Sequence, residues 1–281
     1  MKIYHPSKLR LALEREGTHA KKRLSQNFLI DSNILKKIID AAGVEKEDGV
    51  IEIGAGPGAL TEILLDKGAC VLAIELDRDL IPILNQLQEM HPQLKIVQGD
   101  VLKLSLETLC AQMAEHKKIK VVANLPYHIT TPILTRLLPL HQWIESVTVM
   151  VQKEFAERMT ATPNSKEYGR FTLFVGYYSQ ARYQFTIKPS CFYPAPKVHS
   201  ALVTCSLHAP PLKPREEAAF FDLTRTVFAQ RRKMLRSSLK SLYKVEKIDA
   251  ALTQMGIDLK VRPEELSLEQ FLELFKLCDE K

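Results

Sequence analysis

Between residues 48 and 152 the chain alternates short apolar runs with helical periods, and few architectures accept that pattern. Val50-Ile51-Glu52-Ile53 reads as a buried strand ending in glycines, and Ala59 to Lys67 as a helix stopped by Gly68. Cys70 to Ile74 reads as a second strand, followed by a helical stretch from Arg78 to about Met90. Lys95-Ile96-Val97, Ile119 to Ala123 and Ser146 to Val151 read as three more strands. Strands separated by helical segments imply βαβ units in a mostly parallel sheet with helices on both faces. The expected class is α/β, and such sheets hold their sites at the carboxyl ends of the strands.

Residues 170–208 are less periodic. Phe171 to Tyr178 fits helix or strand, while Arg182 to Ile187 and Ala201 to Leu207 alternate as strands at the far edge of the sheet. Ala209-Pro210-Pro211-Leu212-Lys213-Pro214 is the clearest linker. Beyond it Phe220, Leu223, Val227 and Phe228 recur at helical spacing, and the rest to Lys281 reads as helical. A length of 281 residues is near the upper limit for one core. Two domains are expected: 1–209, carrying the sheet, and 210–281, small and all-helical.

The chain is 46% hydrophobic and 26% charged, which fits a folded soluble protein. No apolar run approaches the roughly 18–20 residues of a spanning helix, and the first twenty residues hold no apolar signal-peptide core. No membrane partner and a cytoplasmic location are expected. Cys70, Cys110, Cys191, Cys205 and Cys278 are scattered and odd in number, with no C-x-x-C pair, so neither a metal site nor a disulfide framework is indicated. The net charge of +6 matters through its distribution. Residues 1–23 hold seven Lys or Arg and residues 225–247 hold eight. Two basic blocks point to a polyanionic partner, the bland alternative being solvated helix faces.

The first strand runs into Gly54-Ala55-Gly56-Pro57-Gly58-Ala59, where glycines let a backbone approach a ligand at a helix N-terminus. Glu75, 21 residues beyond Gly54, closes the second strand, where a carboxylate can accept from both hydroxyls of a ribose. Gly54, Gly56 and Ala59 also satisfy the dinucleotide pattern G-x-G-x-x-A. This much is equally compatible with a nicotinamide enzyme, an S-adenosylmethionine enzyme or a purely structural turn. Two further strand ends discriminate. Asp100 follows the third strand, placed to accept from an adenine amino group. Asn124-Leu125-Pro126-Tyr127 follows the fourth. An exocyclic adenine amine is a poor nucleophile because its lone pair is delocalised into the ring. An amide oxygen and a backbone carbonyl accepting its two N–H bonds localise that pair toward an incoming methyl group. Proline stiffens the turn and the aromatic ring offers the base a stacking face. The methyl donor is a sulfonium with a good leaving group, so alignment can supply much of the catalysis without a metal.

These residues make the chain resemble the ribosomal RNA adenine N6-dimethyltransferase family, in its bacterial small-subunit branch. The resemblance also runs through Ser25-Gln26-Asn27-Phe28-Leu29, Glu75-Leu76-Asp77, Gln152-Lys153-Glu154 and Tyr168-Gly169-Arg170. It continues in Phe192-Tyr193-Pro194-Ala195-Pro196-Lys197-Val198 and Gln230-Arg231-Arg232-Lys233. It implies a Rossmann-like class I methyltransferase sheet with S-adenosyl-L-methionine as cofactor. Asn27 and Leu29 would then cover the donor, Gly54 line its methionine end, Glu75 hold its ribose and Asp100 its adenine. Asn124, Leu125, Tyr127 and Phe192 would form the catalytic group, Asn124 also contacting the donor, with Tyr127 and Phe192 sandwiching the target base. One departure is His128, where relatives commonly have asparagine; a general-base role for it is set aside, because methyl transfer needs no base.

On the RNA side, Arg231, Arg232, Lys233, Arg236 and Lys240 are the expected contacts. Arg232, Arg236, Lys240 and Lys244 fall at four-residue intervals, as on one helical face. Like charges so spaced cost roughly 0.2–0.5 kcal/mol per pair, which is understandable if the face meets phosphates. The resemblance implies two adjacent adenosines in the 3′-terminal hairpin loop of 16S rRNA as target, within the small subunit or its precursor, methylated by a monomer. A macrolide-resistance-type enzyme acting on 23S rRNA is the near alternative. A non-catalytic nucleic-acid-binding factor on the same fold is another, and a nicotinamide dehydrogenase a distant one.

Overall fold

The computed structural model describes residues 2–116, 118–230 and 233–279. The chain begins with helix α1 (Pro6–Arg15), strand β1 (Phe28–Leu29) and helix α2 (Ser32–Ala42). Strands and helices then alternate: β2 (Gly49–Ile53), α3 (Ala59–Asp66), β3 (Cys70–Glu75), α4 (Ile81–Met90) and β4 (Leu94–Gln98). The alternation continues through α5 (Leu106–Ala111), β5 (Ile119–Asn124), α6 (Thr130–Leu137) and β6 (Ser146–Gln152). Helices α7 (Lys153–Met159) and α8 (Arg170–Tyr178) precede β7 (Ser179–Ile187), β8 (Phe192–Tyr193) and β9 (Ser200–Leu207). Last come α9 (Pro214–Phe228), α10 (Leu235–Leu239), α11 (Val245–Gln254) and α12 (Leu268–Asp279).

Seven strands form one sheet in the order β4-β3-β2-β5-β6-β9-β7. The first five run parallel, and β9 is antiparallel to both its neighbours. The central parallel strands are mostly apolar because both of their faces are covered, whereas the edge strand β4 exposes Lys95 and Gln98. Val71, Leu72, Ala73, Val121, Val122, Val147 and Val149 are fully or almost fully buried. Helix α2 starts where the Asp31 carboxylate accepts from the N–H groups of Asn33 and Ile34, at 2.9 and 3.1 Å, and stops at Gly43, whose φ is +57°. The Lys120–Asp48 pair, 2.8 Å apart and buried, ties the fourth parallel strand to the entry of β2. From β2 the chain builds outward to β4, then returns to place β5 on the other side of β2. Such a reversal opens a crevice at the carboxyl ends of the two strands.

The chain divides into two compact units, 1–156 with 179–209, and 157–178 with 210–281. The sequence places all of 1–209 in the sheet-bearing domain, whereas residues 157–178 cluster with the helical unit. The stretch that fitted helix or strand is α8, and its aromatic residues pack against helices beyond the linker. Tyr177 stacks on Phe220 with ring centroids 5.4 Å apart, and the Tyr178 hydroxyl meets Glu217. The Tyr168 hydroxyl donates to the Leu266 carbonyl at 2.8 Å. Those partners lie 39 to 98 residues away in sequence, so no local pattern announces them.

Candidate active site

A cavity enclosing about 1090 Å³ of empty space, its mouth included, occupies the crevice. Gly54, Gly56, Glu75, Asp100, Asn124 and Tyr127 all line it. The loop after β2 turns on glycines held at positive φ. Gly54 and Gly56 have φ of +73° and +59°, and a Cβ on Gly56 would stand 3.3 Å from the Phe28 ring. Bonds from the N–H groups of Gly54 and Ala55 to the Ile74 carbonyl, 2.8 and 3.2 Å, fold the loop across the end of β3.

Glu75 closes β3 and is buried. One carboxylate oxygen accepts from the Gly56 N–H and the other from the Asp77 N–H, each at 2.7 Å. Each oxygen keeps a further acceptor direction, so the carboxylate is fixed without being used up. Burial pushes its pKa above the ordinary value, against the pull of those N–H donors. Asp100 lies beyond β4, steadied by the Leu102 N–H at 3.0 Å. Asn124 ends β5; its Nδ2 donates to the Asn27 carbonyl at 2.9 Å, which leaves Oδ1 as the acceptor available to a substrate amine. Leu125 is buried, and its N–H bonds the Met150 carbonyl at 3.2 Å, fixing the turn. The half-buried Tyr127 pairs its hydroxyl with Ser200 at 2.6 Å, and burial holds its pKa above the ordinary value, so the ring stays neutral.

The segment Leu24 to Leu29 lines the cavity from the N-terminal side. Leu29 contributes a buried side chain, and Asn27 acts through its carbonyl, its own amide turning back to the Ser25 carbonyl at 3.0 Å. Sequence reasoning missed what anchors this segment. Lys21 Nζ meets Asp77 at 2.5 Å and Asp79 at 2.6 Å, and Gln26 Nε2 donates to Asp77 at 2.8 Å. Burial alone would raise the Asp77 pKa, but Lys21 and Gln26 outweigh it and hold the carboxyl below its ordinary value. On the opposite side, Ser25 Oγ lies 3.1 Å from His128 Nδ1.

Glu52 was also missed, although a carboxylate inside the apolar run Val50 to Ile53 was the available signal. It is 1% exposed, lines the cavity, and accepts from the Thr61 hydroxyl at 2.6 Å. Burial pushes its pKa from 4.5 to about 8, with Thr61 opposing and the Glu75 charge adding. The folded state therefore keeps a proton that the unfolded chain releases. Stability should fall as pH rises from about 4.5 to about 8, the cost being absent below that window and complete above it. At about 1.4 kcal/mol per unit the loss is on the order of 5 kcal/mol. Denaturant unfolding across this range should show the slope, and Glu52→Gln should remove most of it; an unchanged slope in that variant contradicts the assignment.

Phe192 does not reach the cavity. It is 3% exposed, sits opposite Leu29 in the short β1–β8 ladder and belongs to the core of the first unit. The alternation of a strand turns Phe192 inward and leaves Tyr193 41% exposed. The expected sandwich of Tyr127 and Phe192 is thus not formed. The single basic face is corrected as well. Helix α10 covers only Leu235–Leu239, Lys240 follows its end, and Lys244 precedes α11. Arg236 is engaged by Asp249, through Nη2 at 2.7 Å and through Nε. Lys233 and Lys240 are exposed, while Arg231 and Arg232 lie outside the described residues.

A parallel sheet reversing at β2 and β5, a glycine loop, two carboxylates at successive strand ends and a positioned Asn-x-Pro-Tyr turn define a class I methyltransferase directed at a base amine. The profile described as ribosomal RNA adenine dimethylase matches residues 17–280, and the chain belongs to that family. It is 50% identical over 277 residues to ribosomal RNA small subunit methyltransferase A of Protochlamydia amoebophila, covering 98% of this chain and 97% of the relative. A protein of the same description from Chlamydia trachomatis serovar D is 46% identical over 261 residues, 92% of each chain. Among solved structures, a dimethyladenosine transferase from Plasmodium falciparum superposes with a TM-score of 0.75 and 28% identity, over 88% of this chain and 95% of that one. The 23S rRNA methyltransferase ErmE gives 0.73 and 26%, over 90% and 100%.

Proposed function

We propose that the chain transfers methyl groups from S-adenosyl-L-methionine to N6 of two adjacent adenosines in the 3′-terminal hairpin loop of small-subunit rRNA, acting in the bacterial cytoplasm as a monomer. The observation that carries this reading is the Asn124 amide, locked by the Asn27 carbonyl at 2.9 Å in the same cavity as Glu75 and Asp100. The residues present fit the donor. Where Gly54 and Gly56 pass, no Cβ obstructs the floor, and Glu75 presents a fixed acceptor for a ribose diol. When bound, the sulfonium supplies an activated methyl group.

The chain's own residues do the rest. Asn124 Oδ1 accepts one N–H of the target amine and the turn carbonyl at Leu125 the other, which localises the nitrogen lone pair along the line of attack. The Tyr127 ring offers a stacking face. Exposed Lys233 and Lys240, with Arg231 and Arg232, serve as phosphate contacts that position without reading sequence. An acceptor in large-subunit RNA is disfavoured by the 50% identity to a small-subunit methyltransferase over 98% of the chain. A non-catalytic binding role is disfavoured by the complete set Glu75, Asp100 and Asn124.

Titration with labelled donor tests the division of roles. Glu75→Ala should weaken donor binding by about 10–100-fold, as expected for hydrogen bonds to a charged group, while Asn124→Ala should change it far less. Equal losses in the two variants, or preferential binding of a nicotinamide dinucleotide, contradict the reading.

A further inference from the structure

The first unit has a second concavity, of about 750 Å³ with its mouth, that none of the roles above uses. Arg10 and Glu14 of α1, Thr18 and His19 beyond it, and Tyr193 with Pro194 line it. Both concavities border the β1–β8 ladder. Phe28 lines the main cavity, and Tyr193, its ladder partner, lines the second.

The groups around this space are set up and unspent. Gly17, with φ of +60°, ends the turn after α1, and the Thr18 N–H donates to the Leu13 carbonyl at 2.9 Å, which fixes residue 18 in place. Thr18 Oγ1 is nonetheless buried without a hydrogen-bond partner, a state a ligand group would relieve. Among the described residues, the side chains of Arg10, Glu14, His19 and Tyr193 make no hydrogen bond or ion pair. Tyr193 presents a ring 41% exposed.

We propose that this concavity is a second nucleotide subsite, which takes the base of the RNA nucleotide next to the adenosine being methylated. It rests on the RNA reading above. Tyr193 stacks on the neighbouring base, and the Thr18 hydroxyl and Glu14 carboxylate accept from its edge N–H groups. Arg10 and His19 face the flanking phosphate. With two adjacent target adenosines, the one not yet methylated is held here while the first is in the main cavity.

The test uses the full chain and undermethylated small subunits. Tyr193→Ala should raise KM for the particles about 10-fold, the stacking contribution of one base, with kcat and donor affinity nearly unchanged. Tyr193→Phe should restore KM, and Thr18→Val should raise it without lowering the melting temperature. A photoreactive p-azidophenylalanine at position 193 should crosslink to a nucleotide adjacent to a target adenosine. Crosslinking to a ribosomal protein or to distant RNA, or an unchanged KM in Tyr193→Ala, overturns the subsite while leaving the methyltransferase reading intact. Absence of transfer by the wild-type chain to any small-subunit adenosine overturns both.

Discussion

Asn124→Ala should reduce single-turnover methyl transfer by about two to three orders of magnitude, the usual effect of deleting one preorganised polar group at a reacting centre. Two losses combine. The substrate amine loses the Oδ1 acceptor that localises its lone pair, and the Asn27 carbonyl loses the 2.9 Å bond that holds the N-terminal segment at the cavity. The turn itself should survive, because Leu125 remains buried and bonded through its N–H to the Met150 carbonyl. Transfer measured under saturating donor and particle separates chemistry from binding. A rate within tenfold of the wild type would remove Asn124 from the reacting centre.

Phe192→Ala should act on stability instead. The ring is 3% exposed and lies in the core of the first unit, so its deletion should cost about 3–5 kcal/mol. Denaturant unfolding of the first unit's signal measures this, and transfer per folded molecule should remain near the wild-type value. Unchanged stability with a large loss of transfer would return the ring to the substrate and restore the sandwich with Tyr127.

The ends of the parallel strands were legible because their chemistry is local. Glycines at 54 and 56, carboxylates at 75 and 100 and the turn from Asn124 to Tyr127 each lie within three residues of the end of an apolar run, so strand position and function appear together. What escaped depends on distance along the chain. The Lys21–Asp77 clamp joins residues 56 apart, and nothing near Lys21 distinguishes it from its basic neighbours Lys22 and Arg23. The placement of 157–178 with the helical unit comes from aromatic contacts across the linker, such as Tyr177 on Phe220. The basic face failed for a different reason. Four-residue spacing describes one face only while the helix continues, and α10 ends at Leu239. Phe192 was misplaced by a motif whose aromatic residue is turned inward by the pairing of β8 with β1.

The most direct measurement is transfer of labelled methyl groups from S-adenosylmethionine to small ribosomal subunits lacking the modification, followed by mapping of the labelled nucleotides. The account predicts label on N6 of two neighbouring adenosines in the 3′-terminal hairpin loop, two methyls on each, and none on large-subunit RNA. Label confined to large-subunit RNA, or to a position other than an adenine amine, would contradict it.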